Sequence, residues 1–267
     1  MPNVICLYDG VDVEHVNLQL IADYLGQWFN GDRIEIRSEL FRYHLGVSGR
    51  TDEQFINSLA ERLCAARIKD PSQRVEAGVC ASGELAQERK WLLEGGGPSD
   101  MFYDGLAWQG VCLDLIGDEE SSAKFLHIAF TNRLLGSWDK KDRRYHGRAG
   151  IYAMPCLIST TGIVEGPAKP REYYFRLMAG LDEQLAKEGL EERFVDYGDR
   201  RLTELLKGYT MQAVFYHLLA EPFCEDRDCR LFNAHWQEEM IRAQLGTAAE
   251  FCAKHCKLLE GLTQKKK

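Results

Sequence analysis

The sequence predicts an α/β fold, a mixed sheet with helices packed on it and a helical C-terminal part, on three observations. Short apolar or alternating segments take turns with helix-period segments through the first 160 residues. From Pro170 onward the pattern is helical. Near the end, Cys224, Cys229, Cys252 and Cys256 form a C-x4-C pair and a C-x3-C pair, a spacing with which paired thiolates can close a tetrahedral zinc site.

The elements follow in order. Residues 4–8 are an apolar run ended by Asp9-Gly10, residues 17–29 repeat apolar positions at helical spacing, and residues 33–36 alternate, which together read as strand, helix, strand. A second helix over 52–68 places Phe55, Leu59, Leu63 and Cys64 on one stripe behind an acidic start. A third covers 84–93 and precedes the breaker Gly95-Gly96-Gly97-Pro98. Strands are expected at 110–116, 125–131, 149–153 and 156–160, with a solvated loop over 136–146. Helices are expected over 171–188, 200–220 and 234–262. No repeat or low-complexity linker divides the chain, so we read residues 1–267 as a single domain, with a mixed α/β part to 169 and a helical part from 170.

Composition bounds the function. With 45 % hydrophobic residues the 267-residue chain can bury a substantial core, and a formal charge of −8 argues against general affinity for nucleic acid or anionic membrane. The one basic run, Lys265-Lys266-Lys267, reads as a solvated tail. No apolar stretch reaches the roughly 18 residues needed to span a bilayer, and residues 1–10 lack a secretion signal, so a cytoplasmic protein is the default expectation. Nine cysteines, an odd number set in apparent core segments, suit buried thiols and a metal site better than a disulfide framework.

Cys252 and Cys256 are four apart on an expected helix and so share a face, while Cys224 and Cys229 flank the loop Glu225-Asp226-Arg227-Asp228. Spacing alone leaves two readings, one four-thiolate site or two unrelated buried pairs. Ahead of them runs Ala213-Val214-Phe215-Tyr216-His217-Leu218-Leu219-Ala220-Glu221-Pro222-Phe223-Cys224. This stretch, with Cys229 and the closing cysteines, resembles the archaemetzincin motif H-E-x-x-H-x-x-G-x-x-H-C-x4-C followed by C-x-x-C. The closing pair Cys252 and Cys256 then carries one extra residue.

The resemblance covers about the last third of the chain and implies a zincin, metzincin-like fold with a structural zinc on Cys224, Cys229, Cys252 and Cys256. It also implies a degenerate catalytic motif. Only the second histidine remains, as His217; Ala213, Val214, Ala220 and Phe223 stand where the family has its first histidine, its general-base glutamate, its glycine and its third histidine. A catalytic zinc needs about three protein ligands and a base for the bound water, and one histidine does not supply them. Segments 101–105, 127–134, 142–146, 158–174 and 233–239 resemble an uncharacterised prokaryotic family described as metallopeptidases by analogy to archaemetzincins.

Other constellations are thinner. His217 with Glu221, and His235 with Glu238, stand four and three apart and can share helix faces, either as ligands or as ordinary hydrogen-bonding and ion-pairing groups. His127, His146 and Glu165 make a second possible metal set. The segment 159–174 combines Ser159, Thr160 and Thr161 at a strand end, a turn at Gly162, and Lys169 and Arg171, which could hold a carboxylate or phosphate at a cleft rim. Three functions stay open: a metallopeptidase relative that binds a peptide or protein ligand without cutting it, an active metallohydrolase with relocated ligands drawn from His217, Glu221, His235 and His146, and an unrelated enzyme or regulator built on the Ser159 to Arg171 loop.

Overall fold

The computed structural model describes residues 2–29, 31–75, 80–96, 101–246 and 249–264, without the side chains of 262–264. Strand β1 (Val4–Gly10) is buried along most of its length, as expected of a strand covered on both faces. Helix α1 (Leu18–Trp28) begins where the Asn17 side chain accepts from the Leu20 amide, and it turns Leu18, Ile21 and Leu25 inward. Strand β2 (Arg33–Ser38) then returns parallel to β1.

Four helices and a short strand intervene before the chain re-enters the sheet: α2 (Leu40–Ser48), α3 (Glu53–Ala65), α4 (Ser82–Glu94), β3 (Phe102–Asp104) and α5 (Gly105–Leu113). Strand β4 (Phe125–Thr131) pairs parallel with the other edge of β1, and β8 (Cys156–Ser159) pairs parallel with β4. The short β7 (Gly150–Ile151) closes the sheet as an antiparallel edge, giving the order β2-β1-β4-β8-β7. A three-stranded sheet stands beside it, in which β5 (Leu134–Asp139) pairs with β3 in parallel and with β6 (Arg144–Arg148) in antiparallel.

After α6 (Thr160–Glu165), α7 (Arg171–Met178) and α8 (Glu183–Lys187), the long helix α9 (Leu202–Leu219) packs with α1 on one face of the sheet, against Ile5, Leu7, Ile128 and Phe130. The opposite face carries Cys6, Tyr8, Ala129 and Leu157 against α2, α3 and α5. Helices α10 (Gln237–Leu245) and α11 (Ala253–Gln264) complete the α9 side. No described helix is long and apolar enough to cross a membrane.

Several expectations change. Residues 110–116 are not a strand: Asp104 accepts from the amides of Leu106 and Ala107 and starts α5, which buries Trp108, Val111 and Cys112 and leaves Leu106 exposed. A short apolar run fits either element, and here the cap decides. The loop expected over 136–146 is a β-hairpin, tightened where Asp139 accepts from the Lys141 and Asp142 amides and Arg143 takes a left-handed φ of 52°. Gly162 lies inside α6 rather than in a turn. The helix expected over 171–188 is broken at Gly180, with φ 90°, and the one over 234–262 ends at Gly246 and resumes at Ala253.

Cys64 and Cys80 form a disulfide that joins the end of α3 to the approach of α4, which corrects the all-thiol reading; the other seven cysteines are free. Gly97 and Pro98 of the breaker and the Lys265 to Lys267 run lie outside the described residues.

Candidate metal centre and cleft

Helix α9 ends at Ala220, whose φ of 57° is left-handed, so the chain turns sharply there. The following loop brings Cys224 beside Phe232, with the Cys224 amide donating to Leu231 O, and an Asx turn at Asp226 sets up Cys229. Cys252 precedes α11 and His255 sits in its first turn.

The ligand atoms of Cys224, Cys229, Cys252 and His255 all lie within 4.8 Å of one another. Cys224 Sγ is 3.9 Å from Cys252 Sγ, while His255 Nδ1 is 3.6 Å from Cys229 Sγ and 3.1 Å from Cys252 Sγ. Tetrahedral coordination at about 2.3 Å for sulfur and about 2.0 Å for nitrogen separates ligand atoms by about 3.5–3.8 Å, so the group fits a metal ion of that geometry. Cys256 is not in it: its Sγ donates to Phe251 O at 3.3 Å.

The surroundings suit thiolates held by a cation. Cys229 and His255 are buried, and burial pushes the Cys229 thiol up to about 12, so the charged ligand form needs a positive partner. The amide of Asp226 points at Cys224 Sγ at 3.4 Å, and the start of α11 offers the positive end of its dipole. Burial holds the His255 pKa below the usual histidine value, which favours the neutral imidazole a metal requires, and its ring packs edge-on against Phe215. Sequence reasoning missed His255 because it paired cysteines only. The signal was present: Cys252-Ala253-Lys254-His255 has the two-residue gap of the motif, so no extra residue is needed.

The remaining candidates do not form one site. Ala213 and Val214 are fully buried among apolar core side chains. His217 Nε2 donates to the Ala123 carbonyl at 3.0 Å. Glu221 is exposed, 3.9 Å from Lys254 Nζ. Glu165 accepts from the Tyr197 hydroxyl at 3.1 Å and stands 3.8 Å from Lys169. Lys169 is turned over Tyr173 and Arg171 lies over Trp236, and neither residue lines the cleft that holds His146 and His235.

His127 is buried on the far side of the sheet. Its Nε2 donates to Glu120 O at 3.0 Å, and its Nδ1 is 2.8 Å from the Tyr8 hydroxyl, which is also 2.8 Å from His44 Nε2 and accepts from Arg37 at 2.9 Å. Burial favours the neutral form of both histidines, and in that form Tyr8 donates to His127 Nδ1 and accepts from Arg37 and His44. Cys6 and Glu120 lie near enough to His127 to make a metal-capable trio, but Arg37 grips Glu120 through two contacts of 2.7 Å and brings a positive charge to that spot.

His146 and His235 do come together, as two walls of one cleft of about 300 Å³. Its floor holds Tyr152, whose hydroxyl donates to Gln212 Oε1 and whose ring meets Phe223 edge-on at 5.6 Å. The loop Gly166-Pro167-Ala168 forms part of the rim, fixed by the pairing of Ala168 with Trp236. His146 Nε2 is also 3.0 Å from Asp142, and with Asp139 these make a third metal-capable group at the hairpin end.

Fold and site together define an α/β protein with a metal-capable Cys3His group under its long helix and a separate open cleft against the sheet edge. The chain belongs to the family described as a probable metallopeptidase family (DUF6775), whose profile spans residues 1–262. No curated protein and no solved structure matches it.

Proposed function

We propose that this protein is an archaemetzincin-like metallopeptidase relative that holds a structural zinc on Cys224, Cys229, Cys252 and His255 and binds a peptide or protein segment in the Tyr152 cleft without cutting it. The observation that carries the non-catalytic part is the fate of the motif positions. Ala213 and Val214 are sealed in the core, Phe223 lines the cleft as a ring, and His217 is committed to a backbone carbonyl. Deprotonating a metal-bound water takes an open coordination position and a base, whereas the Cys3His group already offers four ligands and so leaves none. The archaemetzincin likeness draws support from the mixed sheet, the left-handed end of α9 at the motif glycine and the C-x4-C with C-x2-H spacing.

The test is incubation of the zinc-loaded protein with a pool of random octapeptides, read by mass spectrometry. The reading expects peptides retained at intact mass; new termini abolished by His146→Ala would instead favour relocated ligands. That second reading has one observation behind it, the proximity of Asp139, Asp142 and His146 at the edge of the same cleft. Against it, Asp139 already accepts two backbone amides in the hairpin turn.

A further inference from the structure

The chain carries a net charge of −8, yet no aspartate or glutamate lines the cleft. The charged or chargeable groups there, tyrosines aside, are Arg148, His146 and His235. A cavity lined by an arginine and two histidines, with the hairpin carboxylates Asp139 and Asp142 near His146 but outside the lining, offers a place for an anion.

Arg148 is held for that task. It ends β6, and its Nε donates to Ser137 Oγ on β5 at 2.7 Å, which fixes the guanidinium plane. Its backbone carbonyl sits against Gly162 of α6, where even a methyl group would collide. Among the described residues no carboxylate stands within 4.0 Å of Arg148, and its two terminal nitrogens have no hydrogen-bond partner there. The hairpin carboxylate that feels its charge, Asp139, is engaged by the Lys141 and Asp142 amides. A planar fork with two free donors matches a carboxylate in bidentate geometry. In the same lining, Tyr152 and Phe223 offer an aromatic wall, with Phe223 42 % exposed.

We infer that the cleft captures the free C-terminal carboxylate of a peptide, with Arg148 as the carboxylate anchor, Ser137 as its positioning residue, and the Tyr152 and Phe223 rings receiving a large apolar last side chain. The inference rests on the peptide-cleft reading and narrows it to one end of the chain.

Two N-terminally fluorescein-labelled octapeptide pools, each with phenylalanine or leucine last, test it by fluorescence anisotropy: one ends in a free acid and the other in a C-terminal amide. The free-acid pool is expected to bind at least tenfold more tightly, Arg148→Gln to erase the difference, and Ser137→Ala, which keeps the charge but frees its orientation, to reduce it. Should Arg148→Gln fail to fold, the wild-type comparison and Ser137→Ala decide alone. Equal binding of both pools to the wild-type protein overturns the inference and leaves the peptide-cleft reading standing. If neither pool binds, both fall.

Discussion

His255 Nδ1 lies 3.1 Å from Cys252 Sγ, whereas the sulfur of Cys256, the next residue on the same helix, faces the Phe251 carbonyl. The two neighbours therefore have opposite expected phenotypes. His255→Ala should lower the melting temperature and remove its sensitivity to chelators, because metal binding and folding of α11 are coupled. Cys256→Ser should keep both close to wild type. Equal damage from the two substitutions would restore a four-cysteine site.

The buried cluster around Tyr8 predicts acid sensitivity. Burial pushes the His44 pKa down to about 4 and that of His127 below its ordinary value, and the groups facing them are Cys6, Tyr8, Arg37, Tyr43 and Glu120. A histidine that titrates lower when folded than when unfolded binds more protons in the unfolded chain. Stability therefore falls as pH drops from about 6.5 toward 4, by about 3 kcal/mol from His44 alone. Denaturant melts at pH 7 and pH 4.5 would measure this loss, and His44→Gln should flatten the profile.

Two backbone positions give opposite signs. Ala220 has a left-handed φ of 57°, so Ala220→Gly should relieve strain and raise stability by about 0.5–1 kcal/mol. Gly162 has no room for a side chain, since an added Cβ would land on the Arg148 carbonyl; Gly162→Ala must displace α6 or the cleft wall. Thermal melts should show a rise for the first and a fall for the second.

Glu88, 1 % exposed, accepts from Arg67 Nε at 2.7 Å and from the Tyr103 hydroxyl at 2.8 Å. Arg67→Met leaves that carboxylate buried without its cation and should cost about 3–5 kcal/mol. The double substitution Arg67→Met with Glu88→Met should recover much of the loss. Additive losses would mean the pair does not act as a unit.

Much of the sheet was legible because its strands are covered on both faces and so read as continuous apolar runs, as at β1 and β4. Helix α5 was illegible because its apolar run is short enough for either element and only the Asp104 cap distinguishes them. The 134–148 hairpin was hidden by its exposed charged turn, and α2 by its mixed pattern. At the candidate metal centre three of the four grouped residues were read from cysteine spacing; the fourth needed the helix start at Ala253, which turns His255 inward and Cys256 away. Cleft residues such as Arg148, Gln212 and Tyr152 come from separate elements, and no local pattern joins them.

The most direct measurement is the metal content of the protein purified in zinc-supplemented medium, by mass spectrometry of the digested metal, alongside Cys229→Ser, His255→Ala and His146→Ala. The account predicts one zinc per chain in the wild type and in His146→Ala, and none in the other two. No zinc in the wild type, or a second equivalent that His146→Ala removes, would contradict it.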